Sequence, residues 1–215
     1  LVGVLDVQAD QLNRFDAEDM QINSSLAAQI AIAVQNAHSF QETLLARQET
    51  ELLYKLSAAI NTAADEQAIV MALVENWPTE TPLSVSLSVW DTFNYDTAAN
   101  IVVLGDWRPE TRDQMRGMRV PLSQFPSLPM FSSSEVTHFD DLQAEPSLDE
   151  QTKASVLRFG IQALLSAPLT NAGQWIGVIS LSAHEPRQHS ASELRVLRNL
   201  AEQVSTAVER LRLQR

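Results

Sequence analysis

Phe159-Gly160-Ile161-Gln162-Ala163-Leu164-Leu165-Ser166-Ala167-Pro168-Leu169, then Thr170-Asn171-Ala172-Gly173, then Gln174-Trp175-Ile176-Gly177-Val178-Ile179-Ser180-Leu181-Ser182, is the stretch of this 215-residue chain that decides the fold. The runs 161–169 and 174–182 are apolar and of strand length, and the four residues between them carry tight-turn chemistry. They predict a β-hairpin. Ahead of it, Ser147 and Glu150 have the S-x-x-E spacing of a capping box and predict a helix to Phe159, stopped at Gly160. Behind it, Ser190 and Glu193 repeat the box and open a last helix.

Working back toward the N-terminus, residues 123–134 are rich in proline and serine and read as a loop or one helical turn. Strands are expected at Glu135–Phe139, Arg119–Leu122 and Ile101–Trp107. The stretch 83–90 alternates, Val85, Leu87 and Val89 against Ser84, Ser86 and Ser88, which predicts a half-buried strand. Asp91–Asn100 is a turn. Asp65 caps a helix from Glu66 to about Asn76, which ends at Trp77-Pro78 because proline disfavours helix at the residue before it. Helices and mostly antiparallel strands in this order make an α+β domain with its helices on one side.

The chain also repeats itself. Slid by 174 positions, Leu1-Val2-Gly3-Val4-Leu5 lies over Trp175-Ile176-Gly177-Val178-Ile179, Leu26-Ala27 over Leu200-Ala201, and Ala33-Val34 over Ala207-Val208. So long a period means tandem domains. Residues 1–40 are expected to be the last strand and C-terminal helix of a truncated preceding domain, and 61–215 the complete one. Asp16 caps the first helix, with Glu18 and Asp19 suiting its positive end. From Asp16 to about Ile60 there is neither proline nor glycine, which predicts a helix of ~45 residues, about 67 Å long. Its part 41–60 is expected to be a linker, or signalling, helix.

Leu194, Leu197, Ala201, Val204, Val208 and Leu211 follow the 3-4 spacing of a coiled-coil seam. Their counterparts in the first copy are Met20, Asn23, Ala27, Ile30, Val34 and Ala37. A homodimer seam is expected from Met20, Ala27, Ile30, Val34, Leu194, Leu197, Ala201, Val204, Val208 and Leu211. A second stripe, Val196, Leu200 and Ala207, lies beside it. The alternative is one wide stripe buried within a single chain.

Composition excludes several function classes. Twenty-seven acidic against 15 basic side chains give a net charge of −12, which argues against nucleic acid as a partner. The absence of cysteine excludes disulfides, thiolate metal sites, thiol nucleophiles and thioether attachment of a pigment. Residues 20–41 carry no formal charge, but Gln21, Asn23, Ser24, Ser25, Gln29, Gln35, Asn36 and His38 interrupt them, so no membrane span is expected. His38, His138, His184 and His189 are scattered without metal-ligand spacing. Asp140-Asp141 fit paired carboxylates or, more simply, local capping before Pro146. Six glycines leave no room for a glycine-rich phosphate loop. No catalytic constellation emerges, and a regulatory domain rather than an enzyme is expected.

The hairpin's Gly-Ile, small residues and Pro168-Leu169, its turn Gly173, and Ile176-Gly177-Val178-Ile179 together resemble the closing hairpin of GAF domains. Leu56-Ser57, Asn61 and the helix after Asp65 resemble a GAF opening, so the resemblance covers roughly residues 45–215. It implies a six-stranded antiparallel sheet with N- and C-terminal helices on one face and loops around a small-molecule pocket on the other. It also implies a cytoplasmic regulatory sensor module, as in two-component sensor kinases, cyclases and phosphodiesterases, dimerising through its terminal helices. Family members that attach bilins, and the related methionine sulfoxide reductases, use cysteines this chain lacks. Asn13-Arg14-Phe15 and Asp19 match a cyclic-nucleotide signature only in part, and Arg187, His189 and Glu193 stand at the aligned positions of the intact copy. Trp107, Arg108, Arg116, Arg119, Phe125, Phe131 and His138 are the candidate pocket residues, since arginines among aromatics suit an anionic or planar ligand. The alternatives are arginines paired with Asp106, Glu110 and Asp113, and a ligand-free spacer whose pocket is filled by Trp90, Phe93, Phe125 and Phe159.

Overall fold

The computed structural model describes residues 2–78, 83–109, 115–130 and 135–214. The chain divides into two units, Leu1–Thr50 and Glu51–Arg215. Helix α1, Ala17–Thr62, runs from the first into the second.

In the second unit the elements follow as α2 (Glu66–Asn76), β1 (Ser84–Trp90), β2 (Asn100–Trp107), β3 (Arg119–Pro121), β4 (Thr137–Phe139), α3 (Glu150–Leu157), β5 (Ala163–Asn171), β6 (Gln174–Ala183) and α4 (Ala191–Leu213). The six strands form one sheet in the order β3-β2-β1-β6-β5-β4, and each neighbouring pair is antiparallel. The expected hairpin closes on Ala172 and Gly173, both with positive φ (50° and 78°), as a two-residue turn that matches strand twist requires.

Alternation along the strands decides which side is dry. Val85, Leu87 and Val89 of β1, Ala163, Leu165, Ala167 and Leu169 of β5, and Ile179 and Leu181 of β6 share one face. Against it pack Ile69, Val70 and Leu73 of α2, Val196, Leu200, Val204 and Val208 of α4, and Leu56 and Ile60 from the last turns of α1. Two glycines permit the close approach. A Cβ on Gly105 would sit 2.8 Å from the Glu66 carbonyl oxygen of α2, and one on Gly177 only 2.2 Å from the Ser88 carbonyl oxygen of β1.

Helix α4 has the capping box expected of it: Ser190 Oγ accepts from Glu193 N, and the Glu193 carboxylate accepts from Ser190 N at 2.8 Å. The dimer seam expected on its surface is not there. Leu197, Ala201, Val204, Val208 and Leu211 are buried in this domain's own core, and Leu194 is half-buried against it. The wide single-chain stripe accounts for them, because the sheet needs a cover and α4 supplies it.

The capping box expected at Ser147 and Glu150 does not form either. Asp149 is the N-cap of α3, its carboxylate accepting from Thr152 N at 2.8 Å, while Ser147 donates to Glu145.

In the first unit, residues 2–9 form no strand, and Val2, Val4, Leu5 and Val7 are exposed. Asp16 and Asp19 cap α1 reciprocally, Asp19 N donating to Asp16 at 2.9 Å and Asp16 N to Asp19 at 3.2 Å. Met20, Ile30 and Val34 of the expected seam are exposed and Ala27 is partly covered. Ile22, Leu26, Ile32, Phe40, Leu44 and Leu45 are exposed as well. Among the described residues no helix is long and apolar enough to cross a membrane.

Candidate functional site

The face of the sheet away from α2 and α4 carries a polar row, flanked by Leu164 on one side and by Val178 and Pro168 on the other. Ser84, Ser86 and Ser88 occupy the positions of β1 that alternate with its apolar set, and pairing places Ser182, Ser180 and Val178 of β6 beside them. Ser166 of β5 stands next to Ser180, and Thr137 of β4 next to Ser166. On the other flank Asp106 of β2 stands opposite Ser86. One row thus crosses five strands as Asp106, Ser86, Ser180, Ser166 and Thr137, and every member carries a side-chain oxygen. Ser166 Oγ and Ser180 Oγ are 3.0 Å apart.

The flanks of this face are fixed by hydrogen bonds. His184 Nδ1 donates to the Gly160 carbonyl oxygen, which can only accept, at 2.8 Å, and Nε2 lies 3.3 Å from Ser84 Oγ. Asp106 is buried and accepts from Met115 N at 3.2 Å. Gln67 of α2 brackets its backbone, donating to Asp106 O at 2.9 Å and accepting from Asp106 N at 3.1 Å. Arg108, two residues on, holds its Nε 3.6 Å from the Asp106 carboxylate and donates through Nη1 to Phe159 O at 3.3 Å. That Nε is buried and makes no hydrogen bond among the described residues.

The segment 122–130 is fastened to α3. Asp149 accepts from the backbone and side chain of both Ser127 and Thr152, and these bonds hold its carboxyl far below the usual carboxylate range. Gln151 donates to Ser123 O at 2.7 Å and Arg158 to Gln124 at 2.8 Å.

The candidate pocket residues do not gather at one place. Trp107 is opposite Val85 and packs on the helix-side core, so it faces away from the polar rows. Arg116 pairs with Asp65 at 3.4 Å and Arg119 with Asp91 at 2.9 Å. These are not the acidic partners expected; Glu110 and Asp113 lie outside the described residues, as does Phe131. Phe125 is buried in the segment clasped to α3. Arg108 alone of the four arginine and tryptophan candidates flanks the polar rows. His138 is exposed, its ring centroid 5.9 Å from that of His189.

His189 Nδ1 lies 2.8 Å from Asp140, beside a recess of about 260 Å³ lined by His138, Asp140, Asp141 and Glu145. Burial pushes His189 below its ordinary value in spite of that carboxylate, and Asp140 is also lowered, its hydrogen bonds from His189 outweighing its own burial. The bond serves the approach to α4, since His189 N and Arg187 N donate to Asp140 as well. Among the described residues no group of three or more histidine, aspartate or glutamate side chains is placed to hold a metal ion.

The residues proposed to fill a spacer's pocket are dispersed. Trp90 meets Tyr95 and Trp175, Phe93 lies under Arg212, and Phe159 under Arg158. Sequence reasoning passed over the serines of β5 and β6. Their signal was present, since Ser166, Ser180 and Ser182 recur at even spacing within runs that read as apolar.

The family model of the GAF domain matches residues 87–209, more than half of the chain. The chain belongs to the GAF domain family. Its solved relatives share the fold at low identity. The chromophore-binding domain of the bacteriophytochrome RpBphP3 from R. palustris matches with a TM-score of 0.60 and 14% identity, over 80% of this chain and 62% of that one. The chain therefore spans less than two thirds of that protein's length. The GAF domain of a phosphoenolpyruvate-protein phosphotransferase from Coxiella burnetii matches with a TM-score of 0.60 and 16% identity, over 79% of this chain and 97% of that one. A free methionine-R-sulfoxide reductase from Neisseria meningitidis, solved with its substrate, matches with a TM-score of 0.56 and 16% identity, over 78% and 92%. No curated protein sequence matches this GAF chain.

Proposed function

We propose that this chain is a regulatory sensor module of a multidomain signalling protein, such as a sensor kinase, and that it binds a small polar molecule on the hydroxyl-lined face of its GAF sheet. The row Asp106, Ser86, Ser180, Ser166 and Thr137 carries this reading. A sheet face that only had to be covered would be apolar, because burying hydroxyls without partners is unfavourable. A face that meets a polar ligand needs them. Arg108, whose buried Nε lies 3.6 Å from the Asp106 carboxylate and makes no hydrogen bond among the described residues, stands where an acceptor on that ligand would be met. Among solved relatives, a GAF domain of a cyanobacterial phytochrome is bound to phycocyanobilin and a free methionine-R-sulfoxide reductase is in complex with its substrate. With no cysteine, this chain has no thiol through which to attach a pigment.

The same reading assigns residues 1–40 to a preceding GAF domain. Their exposed apolar positions match, through the internal repeat, positions that are buried in the intact copy. Val2 is 56% exposed where Ile176 is 3%, Leu26 is 45% where Leu200 is 0%, and Ile30 is 43% where Val204 is 0%. The segment 2–7 and the start of α1 thus carry apolar residues where the intact copy carries the strand and helix that pack on its sheet. Through the repeat, Met20, Ala27, Ile30 and Val34 of the expected seam match Leu194, Ala201, Val204 and Val208, which the intact copy turns toward its own sheet, so the exposed apolar residues left for two copies to associate through are Leu44 and Leu45 further along α1. A ligand that prefers one packing of β5 and β6 under α4 would then shift that helix, and relay needs no more than this difference in affinity.

Native mass spectrometry of the protein as purified tests the binding claim. Extra non-protein mass on wild type that is lost in Ser180→Leu, a variant that fills the polar face, supports it. A bare wild-type chain under conditions that preserve weak complexes contradicts it.

A further inference from the structure

At the end of the sheet where β1 runs out and β6 begins, three aromatic rings meet. Tyr95 lies in a short helical turn, Tyr95–Thr97, inside the β1–β2 connection. Its ring stacks on Trp175, with centroids 4.7 Å apart and planes at 28°. Trp90 abuts both edge-on, 4.8 Å from Trp175 and 5.5 Å from Tyr95. Beside the stack is a recess of about 420 Å³ lined by Asn94, Tyr95, Asp96, Pro129, Gln174 and Trp175. That volume falls within the range of about 300–1,000 Å³ of small-molecule sites.

Two features of this corner are unexplained by packing alone. Trp90 is fully buried and Trp175 is 7% exposed, yet neither indole N–H has an acceptor among the described residues. An indole nitrogen only donates, so what completes it must accept. A buried donor without a partner bears a desolvation cost that an arriving acceptor removes. The other wall groups extend the pattern. Asn94 already uses its side-chain oxygen to accept from Asp96 N at 3.0 Å, leaving its NH2 for another acceptor. The flat faces of Tyr95 and Trp175 favour a flat partner. Asp96 on the wall and the net charge of −12 disfavour an anion.

We propose that the recess beside the Tyr95–Trp175 stack is a binding site for an uncharged planar heteroaromatic molecule bearing a hydrogen-bond acceptor on its ring edge. The ring lies against the stack and its edge acceptor takes the Trp175 N–H. The site is built from the β1–β2 connection and the β5–β6 hairpin, and does not depend on the hydroxyl rows holding a ligand. Its occupant touches the same connection that carries Phe93, over whose ring the Arg212 guanidinium of α4 lies at 4.9 Å.

Caffeine is a suitable probe: uncharged, bicyclic, planar, with carbonyl and ring-nitrogen acceptors and no donor. Saturation-transfer NMR on the full chain should show caffeine binding, with affinity measured from the quenching of tryptophan fluorescence. Trp175→Phe keeps a ring in the stack and removes the N–H, and should weaken binding about fivefold, the worth of one neutral hydrogen bond. Tyr95→Leu removes the stacking partner and should weaken it further. Adenosine monophosphate, planar but dianionic, should bind wild type at least about tenfold less tightly than caffeine. No transfer from caffeine, equal affinity for the two probes, or caffeine affinity unchanged in Trp175→Phe would each overturn the assignment. Should Tyr95→Leu fail to fold, the other two comparisons decide.

Discussion

Leu200 and Leu26 occupy equivalent places in the two copies of the repeat, yet truncating each to alanine should have very unequal consequences. Leu200 is fully buried between α4 and the sheet, within the cluster that also holds Leu197, Val204 and the apolar set of β5 and β6. Leu→Ala at such sites removes the transfer free energy of the lost atoms and leaves a cavity that neighbours fill only in part, for about 3–5 kcal/mol. In a domain of this size each kcal/mol lowers the midpoint by about 2–4 °C, so Leu200→Ala should melt at least roughly 6 °C below wild type. Leu26 is 45% exposed. Leu26→Ala should therefore change the stability of the intact domain by less than about 0.5 kcal/mol, as surface substitutions do. Urea unfolding followed by circular dichroism and by tryptophan fluorescence, which reports only on the second unit, measures both. If Leu200→Ala costs less than about 1 kcal/mol, the placement of α4 on the sheet is mistaken.

Other consequences are as direct. Val204→Glu with Val208→Glu should unfold the domain rather than release a folded monomer, since both residues are in the core; a folded double variant by circular dichroism would restore the surface-seam reading. Gly177→Ala should destabilise by about 1–3 kcal/mol or more, because its new methyl meets backbone that cannot swing aside, and an unchanged urea midpoint would refute that crowding. Glu193 is buried at the start of α4; burial works to raise its pKa, but Ser190 N and the Arg187 guanidinium bind the carboxylate and hold it below its ordinary 4.5. The stability it contributes is complete above pH 4.5 and is lost as pH falls through the lower folded value. Asp140 adds the same sign below its ordinary 3.8. Glu193→Gln should cost about 2 kcal/mol at pH 7 and flatten the acid limb of a stability–pH curve, whereas a limb of unchanged slope would deny Glu193 that part.

The fold was largely legible because its strongest signals are local. Turn chemistry at Thr170-Asn171-Ala172-Gly173 between two apolar runs of strand length, 161–169 and 174–182, specifies a hairpin without reference to anything distant. What lay beyond a one-dimensional reading was direction. The stripe Leu197, Val204 and Val208 has the same spacing whether it meets a sheet or a second copy, and only the sheet's unmet need for a cover decides. Trp107 was assigned to the pocket, but Leu104 is an extra residue in β2 opposite β1, and a bulge of one residue changes which face each side chain takes. Arg116 and Arg119 look like a cationic cluster in sequence, yet their partners Asp65 and Asp91 come from two other connections. The hydroxyl row needs three registers at once, β1 on β6, β6 on β5 and β5 on β4, before Ser86, Ser180, Ser166 and Thr137 line up.

The claim that matters most is that a small molecule on the hydroxyl face is coupled to α4. Amide hydrogen exchange tests it by comparing the protein as purified with the same protein unfolded, dialysed and refolded. Slower exchange in β1, β5, β6 and α4 of the undisturbed sample is the predicted result, since a bound molecule holds the sheet and the sheet holds the helix. Identical exchange in the two samples, at every one of those elements, would contradict the account.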